Sequence, residues 1–320
     1  MLWHQFPSPI VCLAPMAGVT DWAFRQLLCE LGKPDIMFTE FISVAGLCSD
    51  GRKELLKDMQ FSASEQPLVV QFFGRNPDQF RSAANLAAEL GFSGIDINAG
   101  CPDRAVQRQG AGAMLLKEPH LIPAIAKAIR DETPAIPLSI KVRVGYEQED
   151  ELDELLPYLQ EALPEAITFH WRTRRQVYKG KANWNLAEKV VTFFSGEARN
   201  RIKLIGNGDI QSIREGEILC KRYGLDGFMI GRAAWAMPWL FGQLPANPSP
   251  QTRIGIMLRH LELFQEFCPQ KNFVHFRRFV KSYISGFTGA REMRVELLRQ
   301  PAPEAFRKVS QQFCEKLPAC

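Results

Sequence analysis

Eight short apolar runs rich in strand-forming residues recur over the first 230 residues and alternate with segments of helical periodicity. Such an alternation is typical of a parallel sheet with crossover helices. The near-continuous apolar character of the runs indicates strands that are buried on both faces. Eight such units predict an α/β fold, a (β/α)8 TIM barrel. The runs are Ile10–Met16, Ile36–Ile42, Leu68–Phe73, Gly94–Asn98, Leu138–Val144, Ala166–His170, Ile202–Gly206 and Gly227–Ile230.

A doubly wound sheet of the Rossmann type is the main alternative architecture. It requires the pattern G-x-G-x-x-G directly after a strand. The nearest candidate is Gly110-Ala111-Gly112-Ala113-Met114-Leu115, which lacks the third glycine. The barrel is therefore favoured over the open sheet.

A Pro-rich segment and further helical periodicity follow the eighth run. Prolines at positions 245, 248 and 250 break regular structure, so residues 244–250 are interpreted as a linker. The periodicity beyond it predicts a small helical bundle. The predicted domains are thus a barrel over residues 1–243 and a bundle over residues 251–320. The predicted helices are Trp22–Leu31, Pro77–Leu90, His120–Arg130, Glu151–Ala162, Asn185–Phe194, Ile213–Tyr223, Ile254–Phe267, Val274–Ser285, Ala290–Leu298 and Pro303–Leu317.

The net charge of +4 is unevenly distributed along the chain. Residues 251–320 contain 12 Lys or Arg and 6 Asp or Glu, so the bundle carries +6 and the rest of the chain −2. Aromatic and basic residues cluster there around Arg277, Arg278 and Lys281. Two interpretations remain open, a solvated helix face over an aromatic core and a phosphate-binding surface for nucleic acid.

Several classes of protein are disfavoured by composition. The eight cysteines include no C-x-x-C pair and no nearby histidine cluster, so neither a metal site nor a disulfide scaffold is expected. No apolar run is long enough for a membrane span. The first residues lack the pattern of a secretory signal, which makes the cytoplasm the expected location. A monomer is expected.

Polar residues gather where the predicted strands end, which is where barrel enzymes place their chemistry. Asn207-Gly208-Asp209 and Gly231-Arg232 follow strands seven and eight, the two loops that often bind phosphate in barrels. Glycine lets the backbone approach an anion closely, and arginine adds a charged donor. A phosphate site is favoured over two tight turns with a surface arginine.

Two further strand-end residues indicate chemistry. Lys141 lies within an apolar strand and must either face the barrel mouth or pair with an acid such as Glu40. Cys101 follows Asn98-Ala99-Gly100 on a loop. Because an ordinary thiol is mostly protonated at neutral pH, Cys101 is a candidate proton donor as well as a nucleophile. A buried inert thiol is the alternative.

These residues resemble the tRNA-dihydrouridine synthase family, whose motifs occur here in family order between residues 14 and 240. The matching motifs are Ala14-Pro15-Met16-Ala17-Gly18-Val19-Thr20-Asp21, Phe38-Thr39-Glu40-Phe41, Val70-Gln71-Phe72-Phe73-Gly74, Asn98-Ala99-Gly100-Cys101-Pro102, Lys141-Val142-Arg143, His170-Trp171-Arg172-Thr173-Arg174, Gly206-Asn207-Gly208-Asp209-Ile210 and Met229-Ile230-Gly231-Arg232.

The resemblance implies an FMN enzyme in which NADPH reduces the flavin, hydride passes to C6 of a flipped tRNA uridine, and Cys101 protonates C5. It assigns flavin or ribityl-phosphate contacts to Pro15, Met16, Ala17, Gln71, Lys141, His170, Asn207, Gly208, Asp209, Gly231 and Arg232. The residues assigned to tRNA binding are Asn98, Arg104, Arg143, Arg172, Arg277, Arg278 and Lys281.

Two departures from the family pattern and two rival functions accompany this resemblance. Trp171 stands where the family commonly has glycine, and a bulky ring there is expected to reshape the wall of the site. Arg104 stands near a position often held by lysine, which keeps the charge and alters its geometry. The rivals are an FMN barrel oxidoreductase acting on a free small molecule, similar to dihydroorotate dehydrogenase, and a non-catalytic RNA-binding protein.

Overall fold

The computed structural model describes residues 2–317. Residues 318–320, and with them Cys320 at the end of the predicted bundle, lie outside the described residues. Eight strands occur where the eight apolar runs predict them, with ends that differ by at most a few residues. They are β1 Ile10–Leu13, β2 Met37–Ser43, β3 Leu68–Phe73, β4 Gly94–Ala99, β5 Leu138–Arg143, β6 Ala166–His170, β7 Lys203–Asn207 and β8 Gly227–Ile230.

The strands form one parallel sheet that curls until its first and last members meet. Its order is β1-β8-β7-β6-β5-β4-β3-β2, and every neighbouring pair is parallel. An isolated parallel bridge joins Cys12 to Ile36. Leu13 donates its N–H to the Ile36 carbonyl at 3.0 Å, and Ile36 donates to the Val11 carbonyl at 3.2 Å. The predicted barrel is confirmed, and the doubly wound alternative is wrong.

Helices connect the strands and continue beyond the eighth. The α-helices are α1 Trp22–Leu31, α2 Val44–Leu47, α3 Arg52–Asp58, α4 Pro77–Leu90, α5 Arg104–Arg108, α6 Leu121–Glu132, α7 Leu152–Glu161, α8 Leu186–Phe193, α9 Glu197–Arg201, α10 Ile213–Tyr223, α11 Arg232–Ala236, α12 Pro250–Phe267, α13 Val280–Tyr283, α14 Ala290–Arg299 and α15 Pro303–Lys316. Within residues 2–317, 3-10 helices span Leu2–His4, Ala63–Glu65, Gly112–Leu116 and Phe273–Phe279.

Local capping explains why some helices begin and end at the predicted residues. Helix α10 begins after Ser212, whose hydroxyl accepts from the Glu215 N–H, and it ends at Gly224, whose φ of +69° suits glycine. Two tail predictions differ from the structure. Residues 274–285 form a 3-10 helix followed by α13 rather than one α-helix. Pro250 begins α12 instead of closing the linker, because the first turn of a helix needs no N–H there.

Two compact units divide the chain differently from the two predicted domains. The barrel unit comprises Met1–Met16, Pro34–Gln60 and Gln66–Gly231, and the helical unit comprises Ala17–Lys33, Phe61–Glu65 and Arg232–Cys320. Helix α1 thus groups with the tail although it follows the first strand. The net charges of the two units equal those of the two predicted domains: the helical unit carries +6 and the barrel unit −2.

Aromatic packing and one buried ion pair attach α1 to the rest of the helical unit. The Phe24 ring stacks on Phe279 with centroids 5.6 Å apart. The Arg25 guanidinium donates to the Glu65 carboxylate at 2.5 Å, with both side chains fully buried. Because a sequence pattern shows periodicity and not tertiary partners, a boundary drawn along the chain could not detect this grouping.

The barrel interior changes from apolar to polar along the strands. At the amino ends, Leu2 and Trp3 from the first 3-10 helix pack with Ile10, Phe38 and other buried residues. The Trp3 ring lies 6.3 Å from that of Phe38 and is 1% exposed. Buried polar side chains occur at the last residues of three strands, Arg143, His170 and Asn207, and the carboxyl ends are where barrels place their chemistry.

We expect Trp3→Ala to lower the free energy of unfolding by about 3–5 kcal/mol, because it removes a large ring from a closed core. Urea titration followed by circular dichroism measures the change. Ile218→Ala is the matched control, since Ile218 is 57% exposed on α10. The control is expected to stay within about 0.5 kcal/mol of the parent. A similar loss of unfolding free energy in both variants would show that burial of the Trp3 ring makes no specific contribution to stability.

Candidate active site

Three hydrogen bonds fix the backbone around Cys101, which lies on the loop after β4. The Cys101 N–H donates to Asn98 Oδ1 at 2.9 Å, and the Cys101 carbonyl accepts from the Ala113 N–H at 3.1 Å. The preceding carbonyl, that of Gly100, accepts from Arg143 Nε at 2.9 Å. The thiol is therefore carried by a loop held in one position.

The environment of the Cys101 thiol favours its protonated form. Its side chain packs against the cluster of Phe41, Phe73, Val106 and Ala111. Burial raises the pKa of Cys101 above its ordinary value, and the backbone hydrogen bond at Asp103 and the charges of Lys141 and Arg143 only partly oppose this. At neutral pH the site accordingly presents a thiol with a proton to give rather than a thiolate.

A chain of buried hydrogen bonds leads from the barrel interior to this loop. Ser139 Oγ donates to Asp96 Oδ1 at 2.5 Å, and Gln71 Nε2 donates to Asp96 Oδ2 at 2.7 Å. Asn98 Nδ2 in turn donates to Gln71 Oε1 at 2.8 Å. Strand register creates the chain, since Gln71, Asp96 and Ser139 are Cα partners on three adjacent strands.

Asp96 is a residue of this site that the sequence reasoning missed. A signal was present, because in Gly94–Ala99 the strand alternation puts Asp96 on the same face as Asn98. The Asp96 carboxyl is fully buried, and burial raises its pKa from 3.8 to about 6. Hydrogen bonds from Ser139 and Gln71 and the charge of Lys141 limit that rise.

Lys141 places a buried amine beside this chain. It is the register partner of Asn98, one strand away. Burial, and secondarily the charge of Arg143, lowers its pKa from 10.5 to about 8, while Asp96 acts in the opposite sense. Among residues 2–317 no carboxylate forms an ion pair with Lys141, so the alternative of a salt bridge to Glu40 is not found. The amine is available to a bound molecule.

The loop after β7 has the backbone geometry of a close-approach turn. Gly208 has a φ of +129°, and a Cβ at this position would lie 2.8 Å from the Ala182 Cβ. The Gly208 carbonyl accepts from Trp184 Nε1 at 3.0 Å, and Asn207 Nδ2 donates to the Met229 carbonyl at 2.7 Å. Only glycine fits here, and its neighbours fix the direction of the loop.

The Asp209 carboxylate is engaged by Arg172. Arg172 Nη2 donates to both carboxylate oxygens, at 2.8 and 2.6 Å, and also to the Gly180 carbonyl at 2.7 Å. The Ala182 N–H donates to Asp209 Oδ2 at 2.9 Å. His170 is buried, with its Nε2 3.4 Å from Arg172 Nη1. Because the Asp209 carboxylate is already paired with Arg172, we expect Asp209 to contact a bound anion through its backbone.

The predicted RNA contacts of the barrel unit differ in accessibility. Arg143 and Arg172 are each 2% exposed. Arg143 Nη1 donates to the carbonyls of Thr173 and Val177 at 2.8 and 2.9 Å, in addition to the contact of its Nε with Gly100. Both arginines therefore organise loops in this structure. Arg104, at the start of α5, is exposed.

The predicted contacts in the helical unit also differ from one another. Arg277 donates to the Gln300 carbonyl at 2.6 Å, with its guanidinium 5.5 Å from the Phe273 ring centroid. Arg278 donates to the carbonyls of Gly18 and His275 at 2.8 and 3.1 Å. Lys281 is exposed on α13. Two of the predicted cofactor residues also belong to this unit: Ala17 is exposed, and Arg232 is the first residue of α11.

The remaining predicted cofactor residues lie at the ends of β1 and β8. Pro15 and Met16 are partly buried. A Cβ at Gly231 would meet the Met16 sulfur at 3.5 Å, so the two strand ends are in contact.

Trp171 does not alter the wall of the site as expected. Its ring is fully buried and stacks on Phe169 with centroids 5.5 Å apart, and it lies 5.7 Å from Trp184. Alternation along β6 directs Phe169 to the side of the sheet opposite His170. The tryptophan therefore packs in the layer between sheet and helices, where it supports Trp184.

Metal binding and membrane insertion find no support in the described residues. Over residues 2–317, no group of three or more His, Cys, Asp or Glu side chains is placed to hold a metal ion. Within the same range, no helix combines the length and apolarity needed to cross a membrane.

The fold and the fixed cysteine loop together define a class, the (β/α)8 barrels with a polar site at the carboxyl ends of their strands. A family model described as dihydrouridine synthase (Dus) matches residues 12–317. The chain belongs to this family, as the motifs predicted.

Curated relatives agree over nearly the whole chain. A protein of Staphylococcus epidermidis named probable tRNA-dihydrouridine synthase is 34% identical over 320 residues, covering 99% of this chain and 97% of the relative. A Bacillus subtilis protein named probable tRNA-dihydrouridine synthase 2 is 33% identical over 317 residues, covering 98% and 97%. Among solved structures, a complex of 2-naphthoyl-CoA reductase is 12% identical with a TM-score of 0.56, covering 72% of this chain and 49% of that one, and supports the barrel fold alone.

We expect Asp209→Asn to lower the free energy of unfolding by about 1–3 kcal/mol, because it leaves the buried Arg172 cation without its carboxylate. The partial exposure of Asp209 keeps the loss below that of a fully buried pair. Asp153→Asn, which breaks an exposed pair with Lys189, is the matched control and should cost less than about 0.5 kcal/mol. Equal effects by guanidinium titration would contradict the assigned role of the Arg172 pair.

Proposed function

We propose that this protein is a flavin-dependent tRNA-dihydrouridine synthase that reduces a tRNA uridine to 5,6-dihydrouridine. The observation that carries the proposal is the buried Cys101 thiol on a hydrogen-bonded loop at the carboxyl end of β4, with the charge of the Lys141 amine acting on it. Membership of the Dus family and the names of its relatives support the substrate.

FMN is the cofactor that the site fits. The glycine-only turn at Gly208 offers backbone N–H groups to a phosphate, and Gly231 adds a second open strand end. Lys141 is available to stabilise negative charge on a flavin ring. The residues proposed to hold the cofactor are Pro15, Met16, Ala17, Gln71, Lys141, His170, Asn207, Gly208, Asp209, Gly231 and Arg232. For Ala17 and Arg232 this rests on the sequence motifs alone.

When bound, FMN reduced by NADPH supplies the hydride that is added to C6 of the uracil ring. Cys101 completes the reduction by donating its thiol proton to C5, so that one hydride and one proton saturate the C5–C6 bond. The raised pKa of Cys101 keeps that proton in place until it is needed. The resulting thiolate is stabilised by Lys141 and Arg143, whose charges favour the ionised thiol.

The uridine must leave its stack to reach the barrel mouth, because chemistry on a base requires access to its ring atoms. Exposed cations are the groups suited to hold the surrounding RNA backbone. Arg104 in the barrel unit and Lys281 in the helical unit are the proposed phosphate contacts, and the +6 charge of the helical unit supports tRNA as its ligand. Arg278 contributes one already anchored guanidinium.

Reduction of a free small molecule is the second candidate function. The barrel and the proton donor would serve it equally well, whereas the basic helical unit would have no role. Turnover of free uracil or orotate at a rate equal to that with tRNA would favour it.

We expect Cys101→Ala to lower dihydrouridine formation by about 10²–10⁴-fold, because the proton donor to C5 is lost. Mass-spectrometric mapping of tRNA incubated with the purified protein, FMN and NADPH measures the product. The rate of flavin reduction by NADPH, monitored as the loss of yellow absorbance, should be nearly unchanged.

Cys48→Ala is the control for this experiment, since Cys48 is exposed and lies outside the site. Full dihydrouridine formation by the Cys101 variant would refute its role as the acid. Absence of product from the parent protein with any tRNA would refute the proposed function itself.

We expect Lys281→Ala to weaken tRNA binding and to reduce the slope of log affinity against log salt by about 0.7–0.9, the share of one phosphate contact. Fluorescence anisotropy over a salt series measures both quantities. Lys127→Ala is the control, because it removes one exposed cation from α6 in the barrel unit. An identical salt slope in both variants and the parent would remove Lys281 from the RNA surface.

A further inference from the structure

We propose that Asp96 is a positioning residue for Cys101, because its carboxylate sets the direction of the hydrogen-bond chain that ends on the Cys101 N–H. The relevance of this position to uridine reduction rests on the proposed function. The chain itself rests only on contacts among buried side chains of β3, β4 and β5.

The chain has one allowed direction. An ionised carboxylate only accepts hydrogen bonds, so the Gln71 amide must turn its Nε2 toward Asp96, which leaves Gln71 Oε1 facing Asn98. Asn98 must then donate through Nδ2 and accept through Oδ1. The far end requires the same arrangement, since the N–H groups of Gly100 and Cys101 only donate and both reach Asn98 Oδ1, at 3.1 and 2.9 Å.

Burial prevents the two amides from taking the opposite orientation. Gln71 and Asp96 are fully buried and Asn98 nearly so, which excludes water as a substitute partner. A reversed amide would bring two N–H groups or two oxygens face to face, and each unsatisfied buried group is costly. Asp96 and the Cys101 loop are thus linked through two amides that cannot turn independently.

The effect of Asp96 on Cys101 passes through the chain rather than through direct charge. The ionisable groups that act on the Cys101 thiol are Asp103 on its own loop and Lys141 and Arg143 on β5. Asp96 is not among them. Around Asp96, the neighbouring polar groups are Gln71 on β3 and Ser139 and Lys141 on β5.

Asp96→Leu tests the proposal, because it removes the acceptor from position 96 with little change in volume. The Nε2 group of the Gln71 amide then has no acceptor at position 96, so the orientation of that amide toward Asn98 is no longer fixed. We expect the Asn98 contact to Cys101 to be lost and the alkylation rate of Cys101 by iodoacetamide to rise about three- to tenfold, the effect of one hydrogen bond. Mass spectrometry of the Cys101 peptide from the full-length, flavin-loaded protein gives the rate.

Ser139→Ala is the matched control. It removes the other hydrogen bond to Asp96 and leaves the carboxylate and the direction of both amides intact, so Cys101 should react within about twofold of the parent rate. Equal changes in Ser139→Ala and Asp96→Leu would show general loosening of the barrel and would overturn the proposal. An unchanged rate in a folded Asp96→Leu protein would also overturn it.

Asp96→Asn supplies the conservative comparison. Its amide can accept from Gln71 through Oδ1 and donate through Nδ2 to the Ser139 hydroxyl, which accepts as well as donates, so both amides keep their direction. The Cys101 alkylation rate should stay within about twofold of the parent, because the hydrogen bond to the Cys101 N–H is kept. If Asp96→Leu alone does not fold, this comparison decides the matter, and a folded Asp96→Asn protein with an altered rate would overturn the proposal.

Enzyme kinetics separate this inference from the proposed function. In Asp96→Leu, reoxidation of the reduced flavin by tRNA should slow by about tenfold, and by more than its reduction by NADPH slows, because only the former uses Cys101. If the parent makes no dihydrouridine but the alkylation pattern holds, the proposed function fails and the positioning role of Asp96 stands. Equal slowing of both half-reactions would overturn the specific link to Cys101.

Discussion

The closed sheet imposes one constraint on which the site depends, since a polar group taken into its interior without a partner lowers stability. Leaving such a group unpaired costs more than a typical hydrogen bond contributes. Gln71, Asp96 and Ser139 satisfy each other across three strands, and Asn98 carries the chain to the Cys101 loop. The hydrogen bonds that hold the Cys101 loop are therefore a consequence of barrel closure.

The loops at the carboxyl ends of the strands are also held by hydrogen bonds between buried groups, and here the donors are charged side chains. Arg143 connects the Cys101 loop to the loop after β6 through three backbone carbonyls, and Arg172 connects the β6 loop to Asp209 after β7. Two side chains that the sequence assigned to RNA thus fix the positions of neighbouring loops. A guanidinium suits this task because its donors point in several fixed directions at once.

The features that could be predicted from the sequence are those determined by residues close to one another along the chain. The eight strands follow from apolar periodicity, and α10 follows from Ser212 and Gly224, which lie within or next to the element that they shape. The pairing of Arg172 with Asp209 across 37 residues has no such signal. Likewise, alternation in β4 indicates the face on which Asp96 lies and does not identify its partners on β3 and β5.

The grouping of α1 with the helical tail shows the same limit at a larger scale. Its amphipathic pattern predicts a helix with one buried face, and a standard barrel would pack that face on the sheet. Instead, Phe24 stacks on Phe279 and Arg25 pairs with Glu65 within the helical unit. Barrel and tail are thus not successive segments, and cutting the chain at residue 250 would remove Phe279 from α1 while leaving the Arg25–Glu65 pair in place.

The pKa values of Asp96 and Lys141 indicate what the site costs the fold. The pKa of Asp96 is raised to about 6, so the folded state binds more protons than the unfolded state and stability falls as pH rises from about 4 to 6. The pKa of Lys141 is lowered to about 8, so stability recovers only as pH rises from about 8 to 10.5. Between these ranges both groups are charged and both lower stability. Apolar residues at these two positions would avoid that cost, and the presence of Asp96 and Lys141 beside Cys101 is accounted for by the chemistry proposed there.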